Sequence, residues 1–190
     1  MTVDTSPLAL PLAGKPWTVD DLDRLPPDKT MRYEIIDGSL VVSPRAGARH
    51  GVIGARICRL LNRQCLKHLI AVQETGLRRG RDAYFEPDAV LAVEAAGERR
   101  GADHLHSSDV LIVIEVLSTY NRAKDLVTKR HHYAGLGIAQ YWIADPERRT
   151  LTILGLDGDK YTELALVRPG EPWTTDQPFP LTVDAAEIFA

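Results

Sequence analysis

The sequence is short of several things, and each shortage removes a class of function. It has two cysteines, Cys58 and Cys65, among 190 residues, too few for a disulfide scaffold or a cysteine-built zinc site. They fall in what reads as one helix, about two turns apart and beyond disulfide reach. Small core residues in a reducing cytoplasm are expected. No apolar run approaches the ~20 residues of a membrane span, and residues 1–16 lack the basic stretch and apolar core of a signal peptide. A cytoplasmic protein with no membrane partner is expected. Aromatic residues make up 6% of the chain and are scattered, leaving no stacking platform for bases. Neither usual glycine-rich phosphate loop is present. Ser43 and Ser118 lack the G-x-S-x-G setting, which disfavours a serine hydrolase.

Net positive charge is lacking as well: the sum is −3. Its distribution is uneven. Between positions 45 and 82 stand nine basic residues, Arg45, Arg49, Arg56, Arg59, Arg63, Lys67, Arg78, Arg79 and Arg81, against only Glu74 and Asp82. Local fields of this kind matter more for polyanion binding than the total.

What is present fits one α/β domain with a mixed sheet: 44% hydrophobic and 26% charged residues in a chain of domain length. Residues 1–16 read as a loose leader, 17–167 as the domain, and 168–190 as a proline-rich tail packing on it, with Trp173 as an anchor. A short helix is expected over 17–25, capped by Thr18. Alternation over 33–43 around Asp37-Gly38 predicts a type I′ hairpin. A helix over 49–69 carries an apolar face of Ile53, Ile57, Leu60 and Leu61 and a basic stripe of Arg56, Arg59, Arg63 and Lys67. Strands are expected over 70–77 and 84–93, with a turn at 78–82 between them and a polar connection over 94–107. The nearly unbroken apolar run 110–117 predicts a central strand covered on both faces. A helix over 122–134, capped by Ser118 or Thr119, a strand over 140–144, and a hairpin of 150–156 with 161–167 complete the pattern.

Glu115 is the most informative residue. A carboxylate inside Ile112-Val113-Ile114-Glu115-Val116-Leu117 is costly to bury unless it is paired, protonated or bound to metal. Asp88, after Pro87, is its natural companion, and Glu86 lies two residues earlier on the same face. Asp88 and Glu115 on neighbouring strands would suit a hard cation; the alternative is a carboxylate paired with an arginine or lysine. Lys129 either serves a reacting phosphate or forms an exposed pair with Asp125. Glu34 either adds a metal ligand or simply flanks the hairpin. His50 is a general base, a phosphate contact or plain surface. Adjacent His131 and His132 point about 100° apart on a helix and do not suit one ion. The basic stripe is either a phosphate-contacting face or a solvated one.

In order, these pieces resemble one family. Arg32-Tyr33-Glu34-Ile35-Ile36-Asp37-Gly38 looks like its opening signature, and His50 begins the first long helix. Glu86-Pro87-Asp88 and Val113-Ile114-Glu115-Val116-Leu117-Ser118 come next. Arg122, Asp125, Lys129 and Tyr133 match the next helix, and Gln140-Tyr141-Trp142-Ile143-Ala144-Asp145-Pro146 the closing signature. This pattern resembles the Uma2, or DUF820, restriction endonucleases. The resemblance implies a restriction-endonuclease-like PD-(D/E)XK core, a mixed central sheet flanked by helices with peripheral β-hairpins. Asp88 would be the "PD" aspartate and Glu115 the second acid. The plain motif has its lysine two residues after that acid, where this chain has Leu117, so the lysine role passes to Lys129.

The same resemblance implies a DNA endonuclease using Mg²⁺, with Mn²⁺ able to substitute. Asp88, Glu115 and the Val116 carbonyl would hold the ion, with Glu34 close by. Arg49, His50, Arg56, Arg59, Arg63, Lys67, Arg78, Arg79 and Arg81 would contact DNA. A homodimer would suit cutting both strands of a duplex. Two rivals stand beside it: a DNA-binding module of the same fold without catalysis, and a self-associating, partner-binding domain whose Glu115 is merely salt-bridged.

Overall fold

The structure, a computed structural model, describes residues 15–22, 24–26, 28–45, 47–97, 104–118, 122 and 124–190. Helix α1 (Val19–Leu22) is one turn, shorter than expected. The Thr18 backbone N–H and hydroxyl both donate to the Asp21 carboxylate, at 2.9 and 2.6 Å, and so cap that turn. Strands β1 (Met31–Ile36) and β2 (Ser39–Pro44) pair antiparallel. Asp37 and Gly38 between them have φ of 50° and 69°, the two positive values that a type I′ turn requires.

Helix α2 (Ala48–Asn62) buries Ile53, Ile57, Leu60 and Leu61, as their periodicity demands. It ends at Asn62 rather than near 69, so Cys65 and Lys67 lie beyond it and the two cysteines do not share a helix. Both are free thiols, and burial pushes Cys58 up to about 11.

Each of the next two expected strands is broken. The first becomes β3 (Leu69–Gln73) and β4 (Gly76–Arg79), because Glu74 turns the chain at φ 49°. The second becomes β5 (Ala83–Phe85) and β6 (Ala89–Val93), interrupted at Glu86-Pro87-Asp88. Pro87 has no N–H to give to a ladder. The connection after β6 carries α3 (Glu94–Gly97), β7 (His104–His106) and a 3₁₀ turn, Ser107–Asp109.

Strand β8 (Val110–Val116) coincides with the apolar run. The expected helix after it is a π-helical stretch, Lys124–Lys129, running into α4 (Arg130–Gly135). Thr119, one of its two expected caps, lies outside the described residues; the Arg122 N–H donates to the Ser118 carbonyl at 3.1 Å. Strands β9 (Gln140–Asp145), β10 (Thr150–Asp157) and β11 (Lys160–Val167) complete the main run. The tail holds β12 (Trp173–Thr175), β13 (Leu181–Val183) and α5 (Ala185–Phe189).

These elements fall into two compact units, Met1–Arg45 with Arg78–Glu86, and Ala46–Leu77 with Pro87–Ala190. In the first, β1 lies between β2 and β5. The second is built on a six-stranded mixed sheet in the order β11-β10-β9-β8-β6-β3. Only β8 and β9 run parallel in it; the other pairs are antiparallel. One face of this sheet packs Ile112, Ile114 and Trp142 against Ile57 and Leu61 of α2 and Ile188 of α5. Each such side chain contributes roughly 1.5–3 kcal/mol by leaving water. On the other face, Tyr133 of α4 meets Tyr141 edge-on, with ring centroids 5.3 Å apart. No described helix is long and apolar enough to cross a membrane.

Candidate active site at the end of the central strand

The break at Pro87 leaves Asp88 at the mouth of β6. Strand β6 pairs with β8 through Ala89↔Ile114, so one step further along the ladder Asp88 stands opposite Glu115. Asp88 Oδ2 accepts the Val116 N–H at 2.7 Å. His50 Nε2 lies 3.0 Å from the same oxygen and 2.7 Å from the Val116 carbonyl oxygen. Both neighbours are acceptors, so Nε2 carries a hydrogen. A glycine permits this approach. A Cβ on Gly54, one turn after His50, would stand 2.6 Å from Gln73 Nε2, so α2 packs close over β3. Gln73 Nε2 in turn donates to the Gly51 carbonyl at 3.1 Å.

Glu115 alternates with the core residues Ile114 and Val116 and points to the opposite face. Its Oε1 accepts Lys129 Nζ and the Tyr133 hydroxyl, each at 2.6 Å. The ion-pair alternative for Glu115 is therefore realised, but its partner is the other candidate catalytic residue. Lys129 Nζ also lies 3.6 Å from Asp125 Oδ1. That pair is not the exposed one that its spacing suggested: Lys129 and Asp125 are 1% and 2% exposed. The π-helical turn carries both, an irregularity that recurs at functional sites. Tyr141 donates its hydroxyl to the Asp125 carbonyl at 2.8 Å. Burial, with Glu115 and Asp125 nearby, pushes its phenol well above the ordinary range. Tyr141 thus stays a donor.

Tyr133 carries more than a family match. It lies four residues after Lys129, the spacing that puts two helical side chains on one face. His131 and His132 stack edge-on to each other, 5.7 Å between centroids.

Glu34 belongs to the first unit. It is buried there, and its Oε1 accepts the Glu86 N–H at 3.2 Å. Glu86 in turn lies 3.6 Å from Arg32 and 3.5 Å from Arg45.

The basic candidates divide by what they touch. Arg49 donates to the Pro146 carbonyl at 3.0 Å. Arg56 donates to the carbonyls of Ile188 and Ala190, at 3.2 and 2.6 Å, and Arg63 pairs with Glu187. In the first unit, Arg81 pairs with Asp20 at 2.6 Å, and Arg78 donates to the Gly80 carbonyl at 2.6 Å. Arg59, Lys67 and Arg79 are exposed.

A divalent cation is what a fold of this kind implies. Among the described residues no cluster of three or more histidine, cysteine, aspartate and glutamate side chains is gathered for one. The oxygen set of Asp88, Glu115 and the Val116 carbonyl nonetheless fits magnesium, which takes one or two carboxylates and keeps several waters. It does not fit a soft metal.

The family model described as Uma2, "Putative restriction endonuclease", matches residues 19–186. The chain is also similar to a solved structure, the crystal structure of a "putative nuclease belonging to DUF820" from Anabaena variabilis ATCC 29413. The two are 18% identical, over 92% of this chain and 98% of that one, with a TM-score of 0.71. At that identity the likeness speaks for the fold. No curated protein matches the chain.

Proposed function

The chain belongs to the Uma2 family, and from that premise we propose that it is a metal-dependent endonuclease hydrolysing phosphodiester bonds in DNA. One observation carries the proposal. Asp88 and Glu115 end neighbouring antiparallel strands, and a buried lysine and a tyrosine hydroxyl both hold Glu115. Two donors on one oxygen fix the position of the Glu115 carboxylate.

In this reading Asp88, Glu115 and the Val116 carbonyl hold Mg²⁺ or Mn²⁺. The ion would polarise the phosphodiester and lower the pKa of a bound water. The chain's own groups do the rest. The Val116 N–H orients the Asp88 carboxylate. Tyr133 and Lys129 orient Glu115, and the Lys129 ammonium stands ready to offset charge developing on the phosphate. His50 places an N–H on two of the three proposed ligand oxygens.

The test is nicking of supercoiled plasmid with Mg²⁺, Mn²⁺ or EDTA, for wild type and Glu115→Gln. Glutamine keeps an oxygen for Lys129 and Tyr133 while losing the charge, so it preserves the fold better than alanine does. Metal-dependent nicking reduced about 100-fold or more in the variant is expected; wild-type nicking by Glu115→Gln sinks the assignment. A second reading, a DNA-binding module of the same fold without catalysis, is favoured by one fact: Asp88 and Glu115 each already hold donors from the chain itself. Retention of DNA with no metal-dependent nicking would select it.

A further inference from the structure

A cavity of about 360 Å³ opens on the sheet face that carries Glu115, lined in part by Leu117, Ile143 and Thr152. Its place is set by strand register. Glu115 pairs with Ile143, Ile143 with Thr152, and Thr152 with Leu166. Residues paired across a ladder share a face. With strands about 4.8 Å apart, this row runs roughly 14 Å from Glu115 to the edge of the sheet. Ile143, Thr152 and Leu166 form the cavity floor, so the cavity begins one strand away from the candidate active site.

The lining has two kinds of chemistry. The floor is aliphatic apart from the hydroxyls of Thr150 and Thr152, and the apolar lining residues Leu126 and Leu166 are 38% and 37% exposed. Arg122, Arg148 and Arg168 stand around it with a single carboxylate, Asp145. Burial alone would push Asp145 up, but Arg122 and the N–H groups of Arg148 and Glu147 outweigh it and hold the carboxyl below its ordinary value. Arg122 Nη2 donates to it at 2.7 Å, so one of the three cations is neutralised and fixed. Arg148 and Arg168 are left 76% and 53% exposed, with the carboxylates of Asp145 and Glu171 at 3.9 Å. The cavity therefore offers aliphatic surface for a ring and net positive charge for an anion. Its volume lies at the small end of ligand sites.

We propose that this cavity is a nucleotide subsite, seating one nucleotide of the substrate strand beside the phosphodiester to be cut. The sugar and base lie on the aliphatic floor, and the phosphate lies between Arg148 and Arg168. The subsite rests on the nuclease reading above for its place beside the reacting phosphate. With only two hydroxyls on the floor and no amide to pair with a base edge, it holds any base and selects no sequence.

The test is fluorescence anisotropy of a short fluorescein-labelled single-stranded oligodeoxynucleotide at low salt in EDTA, where no cutting occurs. Wild type is compared with Thr152→Trp, which fills the cavity, and with Arg148→Glu/Arg168→Glu, whose exposed changes leave the core intact. Thermal melts of all three confirm folding. Both variants are expected to weaken binding about tenfold or more. A folded Thr152→Trp that binds within about twofold of wild type overturns the subsite, even if charge reversal weakens binding, because the arginines would then be a general phosphate surface. If Thr152→Trp does not fold, Thr152→Leu, a smaller filling of the same floor, decides by the same criterion. Failure of wild type to bind the oligonucleotide also overturns it. Plasmid nicking measured in parallel separates the two readings. Nicking with a cavity-independent affinity refutes the subsite alone, and cavity-dependent binding without nicking refutes the nuclease alone.

Discussion

Lys129 and Arg56 are both cations at helical spacing in the same unit, and the sequence allowed each to be an exposed charge. Lys129 is instead 1% exposed, with a carboxylate oxygen of Glu115 at 2.6 Å. Arg56 lies midway along α2, half-buried, and gives its guanidinium to backbone oxygens of Ile188 and Ala190 at the end of α5. The difference lies in the partner. A lysine taken out of water must meet a carboxylate, because leaving either charge alone costs several kcal/mol. A partly exposed arginine keeps part of its hydration, so backbone oxygens suffice as its protein partners and let it fasten one helix to another. Burial thus ties Lys129 to Glu115, where the proposed nuclease reading uses it. Arg56, offered as a phosphate contact, has a structural task that needs no phosphate.

The largest effect that would break this comparison is on stability. Lys129→Ala should cost about 3–5 kcal/mol, since it strands Glu115 as a buried charge. Lys129→Met combined with Glu115→Gln should recover most of that loss, because replacing both partners removes the charge along with its counter-charge. Urea denaturation of Lys129→Met, Glu115→Gln and the double variant gives the coupling directly. A Lys129→Ala cost below about 1 kcal/mol would place the pair in the class of surface ion pairs and undo the contrast.

Arg56→Ala comes next. It removes a charged donor from two carbonyls near the end of α5, and a loss of about 1.5–3 kcal/mol is expected. Because its task is packing, the salt dependence of DNA retention should not change. If the slope of log affinity against log salt falls instead while the melting temperature holds, Arg56 contacts phosphate and the fastening role is wrong.

The features legible in the sequence divide along a similar line, between local and distant causes. The type I′ hairpin at Asp37-Gly38, the core face of α2 and the central strand β8 all rest on local periodicity and turn chemistry, and the structure has them. The breaks in the two long strand candidates do not. Glu74 at positive φ leaves no local signal, and Pro87 was compatible with a strand start as well as with a strand end. The facing of Asp88 and Glu115 was readable as two carboxylates on neighbouring strands. The Tyr133 hydroxyl on Glu115 and the burial of the Asp125–Lys129 pair were not, because a lysine four residues after an aspartate looks the same on a solvated helix. The row Glu115–Ile143–Thr152–Leu166 depends on register across four strands. No local pattern encodes register between strands far apart in the chain.

The smallest effect sharpens the comparison most. Arg59 sits one turn from Arg56 on α2 and is exposed. Arg59→Ala should change stability by no more than about 0.5 kcal/mol, as surface substitutions do. If α2 faces DNA at all, Arg59 is the residue that shows it. Its removal should weaken retention evenly across sequences and reduce the salt slope by about 1, the signature of one lost phosphate contact. Arg56→Ala and Arg59→Ala would then have opposite outcomes one helical turn apart, one losing stability and the other losing affinity. If Arg59→Ala leaves both stability and the salt slope at wild-type values, the basic stripe of α2 is a solvated face, and DNA contacts must be sought elsewhere, beginning with the arginine-rimmed cavity.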